Sequence, residues 1–164
     1  MKEASAQSAE GAAPLLPLAE ARAQLLALLA GETDLIANAA NFAAFLNTQL
    51  ADINWVGFYF LRGDELLLGP FQGRPACVRI PVGRGVCGSC VSLGATQRVD
   101  DVHAFPGHIA CDIRSRSELV VPLFDGAGIV GVLDIDSPRP ARFTAADQHY
   151  VEVLLDAFAG SQFG

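Results

Sequence analysis

Apolar positions recur at helical spacing near both ends of the chain and at strand spacing between them. Leu18, Leu25, Leu28 and Leu29 keep roughly one helical face, and Gly31 ends the run. A second helix is expected where Leu35, Ile36, Ala39, Phe42, Ala43, Leu46 and Leu50 recur at threes and fours. From Ile53 the period shortens. Ile53 to Leu61 is β-branched and aromatic, Arg62-Gly63-Asp64 reads as a turn, and Glu65 to Phe71 returns, which predicts a hairpin. Cys77 to Ile80 reads as a short third strand, the glycine-rich stretch from Gly83 to Gly94 as the opening of a short helix, and Gln97 to Val99 as another strand. After a long connection, Asp100 to Ser117, comes a second hairpin: Leu119 to Phe124, the turn Asp125-Gly126-Ala127-Gly128, and Ile129 to Ile135. Thr144-Ala145-Ala146-Asp147 has the form of a capping box, and Val151, Leu154, Leu155 and Phe158 stripe a closing helix. The pattern predicts an α+β domain with helices packed on one face of an antiparallel sheet.

At 164 residues, 51% apolar and 18% charged, the chain suits one globular domain with a sizeable core. Residues 1–16 are rich in Ala, Ser, Gln, Glu and Gly without periodicity and are expected to form a flexible tail, leaving 17–162 as the domain. No apolar run reaches the ~18 residues that a spanning helix needs. Met1-Lys2-Glu3 does not open a signal sequence, so the expected compartment is the cytoplasm. Eleven basic against eighteen acidic residues give a net charge of −7, which argues against nucleic acid or an anionic membrane as partner.

Chemistry enters with the strand faces. Alternation puts Val56, Phe58 and Phe60 on a core side and Trp55, Gly57 and Tyr59 on the other. Two large aromatics flanking a glycine leave a hollow, read either as a partly exposed pair or as the wall of a small-ligand pocket. Asp134 and Asp136 lie two apart in Val-Leu-Asp-Ile-Asp, so their carboxylates emerge together, although Asp is depleted from strands. Held close, they repel, and one is expected to keep its proton above the ordinary value of ~3.9. That suits a general acid or an anion pair for an ammonium; otherwise they brace the Ser137-Pro138 turn. Glu118 is a third acid on that side, or a solvated strand end.

The four cysteines, Cys77, Cys87, Cys90 and Cys111, allow three readings. Cys87-Gly88-Ser89-Cys90 is a C-x-x-C, but the βαβ context of a thioredoxin-type pair is missing. With His108 and Cys111 it would instead make a zinc site. The third reading is a thiol enzyme with Cys111 in a long loop, where Arg114 and Arg116 favour its thiolate.

Longer stretches carry a resemblance. Asn54-Trp55-Val56-Gly57-Phe58-Tyr59, Leu68-Gly69-Pro70-Phe71-Gln72-Gly73, Ala76-Cys77-Val78-Arg79-Ile80-Pro81, Gly85-Val86-Cys87-Gly88, Val102 to Cys111, Ser115-Arg116-Ser117-Glu118 and Gly131 to Ser137 resemble the GAF-domain free methionine-(R)-sulfoxide reductases. The resemblance implies an antiparallel sheet with helices on one side and a closed-in ligand on the other. It implies that Cys111 attacks the sulfoxide sulfur, that Cys77 resolves the product, and that Cys87 is a third cysteine used in some members. Trp55 and Tyr59 would wall the substrate, and Glu118, Asp134 and Asp136 would hold its amino group and protonated sulfoxide oxygen. It further implies a homodimer recycled by thioredoxin, with neither metal nor organic cofactor. Cys90 departs from the pattern, as a bystander or an added electron relay. The alternative is a non-catalytic GAF sensor of a small molecule.

Overall fold

The computed structural model describes residues 12–164. The expected tail over 1–11 lies outside them, but Leu15 and Leu16 already donate backbone N–H groups to Gln49, and Tyr150 donates to the Leu16 carbonyl. Ordered contact with the domain thus begins before residue 17.

Six strands form one antiparallel sheet in the order β3-β2-β1-β6-β5-β4. The hairpin β1 (Trp55–Arg62) and β2 (Glu65–Gly73) adjoins the hairpin β5 (Ser117–Phe124) and β6 (Ile129–Ser137), with β1 against β6 at the centre. The short strands β3 (Arg79–Pro81) and β4 (Gln97–Val99) close the two edges. β3 starts two residues later than the pattern predicts, which leaves Cys77 in the loop before it. The carbonyl of Cys77 there accepts from Tyr59, so side-chain chemistry, not strand pairing, holds that residue.

The face carrying Val56, Phe58 and Phe60 is covered as expected. Helices α1 (Leu18–Leu29), α2 (Leu35–Gln49) and α4 (Ala145–Phe163) bury Leu25, Phe42, Leu46, Leu154 and Phe158 against it. The Phe42, Phe58 and Phe158 rings meet at centroid distances of 5.1–5.5 Å. The Thr144–Asp147 box starts α4 with both reciprocal bonds in place, and Asp147 also pairs with the buried Arg142.

A smaller core lies on the opposite face, where Trp55, Tyr59, Val120 and Val132 meet α3 (Gly85–Leu93) and the long connection. The predicted helices-on-one-face layering therefore has one addition: α3 packs on the pocket side. It sits close because Gly88 has no side chain; a Cβ there would strike the Pro81 carbonyl and come within 3.0 Å of the Gly83 nitrogen.

Candidate active site

Cross-strand register builds the site. On β6, Asp136 faces Glu118 of β5 and Trp55 of β1, while Asp134 faces Val120 and Gly57. Glu118, Asp134 and Asp136 therefore share one patch of the sheet, beside the aromatics of β1. α3 brings Cys87 over them: its Sγ lies 3.9 Å from Glu118 Oε1. The sulfur and one carboxylate oxygen each from Glu118 and Asp134 lie within 4.8 Å of one another.

The loop before β3 and the long connection supply the remaining wall. They are joined by a disulfide between Cys77 and Cys111, with Cα atoms 5.4 Å apart. Trp55 Nε1 donates to the Arg74 carbonyl at 3.1 Å and Tyr59 Oη to that of Cys77 at 2.8 Å. Both aromatics thus use their polar ends to hold the loop that carries Cys77, with their rings stacked at 5.8 Å. One cavity is lined by Cys111, Cys87, Trp55, Tyr59, Glu118, Asp134 and Asp136. Of the residues to which the resemblance gives a catalytic or substrate role only Cys77 is off this wall, and it reaches the site through its bond to Cys111.

Burial sets the electrostatics. Glu118, Asp134 and Asp136 all have raised proton affinity, first because the charged forms lose solvent; mutual repulsion adds to this at Glu118 and Asp136. Asp134 is held near 6, since hydrogen bonds from Glu118, Cys87 and Asp136 partly offset its burial. Its Oδ1 is buried with no hydrogen-bond partner among the described residues. The Cys87 thiol is pushed well up by burial and by the charges of Asp134 and Glu118, and the Tyr59 phenol is raised for the same reasons. Among the described residues no Lys or Arg lines the cavity; His108 does.

Several expectations need correction. The hollow expected at Gly57 is filled by Phe71, whose ring stacks on Trp55 at 5.2 Å. A bulge in β2 brings Phe71 so near that a Cβ on Gly57 would strike its Cβ and come within 2.8 Å of its Cα. Trp55 and Tyr59 are buried rather than a partly exposed pair. Glu118 is no solvated strand end, being only 7% exposed. Asp134 and Asp136 face the cavity and do not brace the following turn, where the Ser137 hydroxyl bonds instead to the Asp52 carbonyl. The zinc quartet is not assembled: Cys111 is bonded to Cys77, and the Cys90 sulfur lies 3.7 Å from the Val120 carbonyl. Cys87 and Cys90 are both free and buried, and burial pushes Cys90 up to about 12, which disfavours the thiolate that a redox pair needs. Arg114 does not serve the Cys111 thiolate; it grips Asp112 with bonds of 2.8 and 3.2 Å, holding that carboxyl down at about 2.

The GAF domain model matches residues 21–161. The Escherichia coli free methionine-R-sulfoxide reductase is 57% identical over 129 residues, 79% of this chain and 78% of that one. The chain belongs to the GAF-domain free methionine-R-sulfoxide reductases. The structure of the Staphylococcus aureus fRMsr in reduced form superposes with a TM-score of 0.86 at 47% identity, covering 92% of this chain and 98% of that one. That of the Neisseria meningitidis free methionine-R-sulfoxide reductase in complex with its substrate gives 0.83 at 46% identity, covering 88% and 87%.

Sequence reading missed other wall residues of this reductase, among them Ile109, Asp112 and Ser115. Asn54 links the last two, donating to Asp112 at 3.2 Å and Ser115 at 3.3 Å. Asn54 and Ser115 fall within the motifs of the resemblance, but a hydrogen bond across 58 residues leaves no periodic trace.

Proposed function

We propose that this protein reduces free L-methionine-(R)-sulfoxide to L-methionine by thiol and disulfide chemistry. The observation that carries the reading is the Cys77–Cys111 bridge on a cavity floored by Glu118, Asp134 and Asp136. A sulfoxide sulfur becomes electrophilic when its oxygen is protonated. The buried carboxyls keep protons toward neutral pH and supply that proton. The Cys111 thiolate attacks the sulfur, the S–O bond breaks, and the oxygen ends on Cys111 as a sulfenic acid while methionine departs. The Cys77 thiol then attacks Cys111, forming the disulfide and releasing the oxygen as water. In sum, one sulfoxide and two thiols give one thioether, one disulfide and one water.

The same floor selects the free amino acid. An ammonium beside Asp134, whose Oδ1 lacks a partner, makes a charge-assisted bond about twice as strong as a neutral one. A peptide-bonded methionine offers a neutral amide and leaves the acids unmatched. Trp55 and Tyr59 wall the side chain. Cys87 is held protonated above Glu118 and stands in reserve, and Cys90, away from the cavity wall, is a bystander. We assign the reopening of the half-buried bridge to thioredoxin by thiol exchange. The assignment to the cytoplasm follows, because an oxidising compartment would lock the bridge, and a homodimer is the assembly that the resemblance favours. No described helix is long and apolar enough to cross a membrane.

The test is a coupled assay with reduced protein, racemic free methionine sulfoxide, thioredoxin, thioredoxin reductase and NADPH. NADPH loss that stops near half of the substrate supports stereoselective reduction. No loss at all would favour a sensor that merely binds a small molecule. Sedimentation velocity checks the dimer.

A further inference from the structure

Three potential anions, Cys87, Glu118 and Asp134, converge in the cavity with their ligating atoms within 4.8 Å of one another. Asp136 lies beside them across the strand pair from Glu118. Among the described residues neither Lys nor Arg lines the cavity; His108 is the one basic side chain on its wall, and burial lowers its proton affinity. Asp134 is only 6% exposed, and its Oδ1 has no hydrogen-bond partner among the described residues. An orphaned buried acceptor beside a thiol and a second carboxyl, all able to give up a proton, suits a cation that displaces those protons.

We propose that Cys87, Glu118 and Asp134 form a binding site for a borderline-soft divalent cation of the zinc and cadmium class. One sulfur and two carboxylate oxygens are the donor types such ions take. A tetrahedral ion with bonds of ~2.0–2.3 Å sets its ligands about 3.5 Å apart. Cys87 and Glu118 already stand 3.9 Å apart, so side-chain adjustment of about 1 Å closes the set. The fourth position faces the cavity, open to water or to Asp136. On binding, the S–H bond of Cys87 breaks and its proton leaves to solvent together with any proton held by Glu118 or Asp134; the sulfur and the two carboxylates bond the metal with no change of oxidation state. This trio differs from the quartet suggested by the C-x-x-C spacing, and it does not depend on the proposed substrate.

The experiment uses the oxidised protein, in which the Cys77–Cys111 bridge removes those two thiols from competition. Cd²⁺ is titrated while the ultraviolet charge-transfer band of cadmium thiolate and the binding heat are recorded. One saturable site with that band is expected. Cys87→Ser should lose the band, Glu118→Gln should weaken binding about tenfold or more, and Cys90→Ser should leave both readouts unchanged. Thermal melts check that each variant folds; should Cys87→Ser not fold, Glu118→Gln decides. A band that survives in folded Cys87→Ser, affinity unchanged in folded Glu118→Gln, loss confined to Cys90→Ser, or no saturable binding would overturn the site.

Discussion

Asp134 shows how burial reshapes one residue's chemistry. Its carboxyl is held near 6 against an ordinary 3.8, because lost solvation outweighs three hydrogen bonds from its neighbours. An acid that binds its proton more tightly when folded adds stability fully present below its unfolded value and lost as pH rises through its folded value. For Asp134 this is about 3 kcal/mol, and Glu118 and Asp136 act in the same direction. Asp112 and His108 have the opposite sign: with its value near 2 the Asp112 window lies at more acid pH, and His108, lowered by burial, is a single group set against three raised carboxyls. The melting temperature should therefore fall from about pH 4 to about pH 7, and Asp134→Asn should flatten that slope. A parent protein that grows more stable over the interval would contradict the cluster's electrostatics. The paired emergence of Asp134 and Asp136 was legible in the alternation of one strand. Glu118 was legible as a third acid on that side or as a solvated strand end; its burial opposite Asp136 was not, because that depends on register between strands.

At the scale of elements, the two hairpins and the closing helix could be read from period and turn residues alone. Their edges shifted where tertiary contacts intervened, as with Cys77, which leaves β3 to meet Tyr59 and Cys111. The side on which α3 packs was illegible, since its nine residues carry no long apolar stripe and its place depends on Gly88 lying against Pro81. Gly57 is the counterpart in the sheet: it admits the β2 bulge and so the Phe71 ring on Trp55. Gly57→Ala should destabilise the domain by about 1–3 kcal/mol through overpacking, read from the urea midpoint. It should also disturb tryptophan fluorescence, because Trp55 is the chain's single tryptophan. An unchanged midpoint would mean that the bulge moves freely.

For the whole molecule, the bridge ties together two segments 34 residues apart, one of which puts Cys111 on the cavity wall. Nothing in the spacing of four cysteines pointed to that pair; only the resemblance of longer motifs did. Closing a loop of that length stabilises by about 4 kcal/mol in the chain-entropy model. Oxidised protein should resist denaturant better than reduced protein by up to that amount. Hydrogen exchange over residues 100–116 should quicken on reduction, and equal exchange in both states would show that the bridge does not order the long connection. The redox cycle thereby couples chemistry to the rigidity of the site's own wall.

Reduction by this route requires Cys111 and Cys77 to act on one substrate in this cavity, which a single turnover measures. Fully reduced protein is mixed with excess free methionine-(R)-sulfoxide and no external reductant, and methionine and disulfide-linked peptides are quantified. One methionine per chain, together with a Cys77–Cys111 link and free Cys87 and Cys90, is the expected result. No methionine, or a link that joins other cysteines while Cys111 stays free, would contradict it.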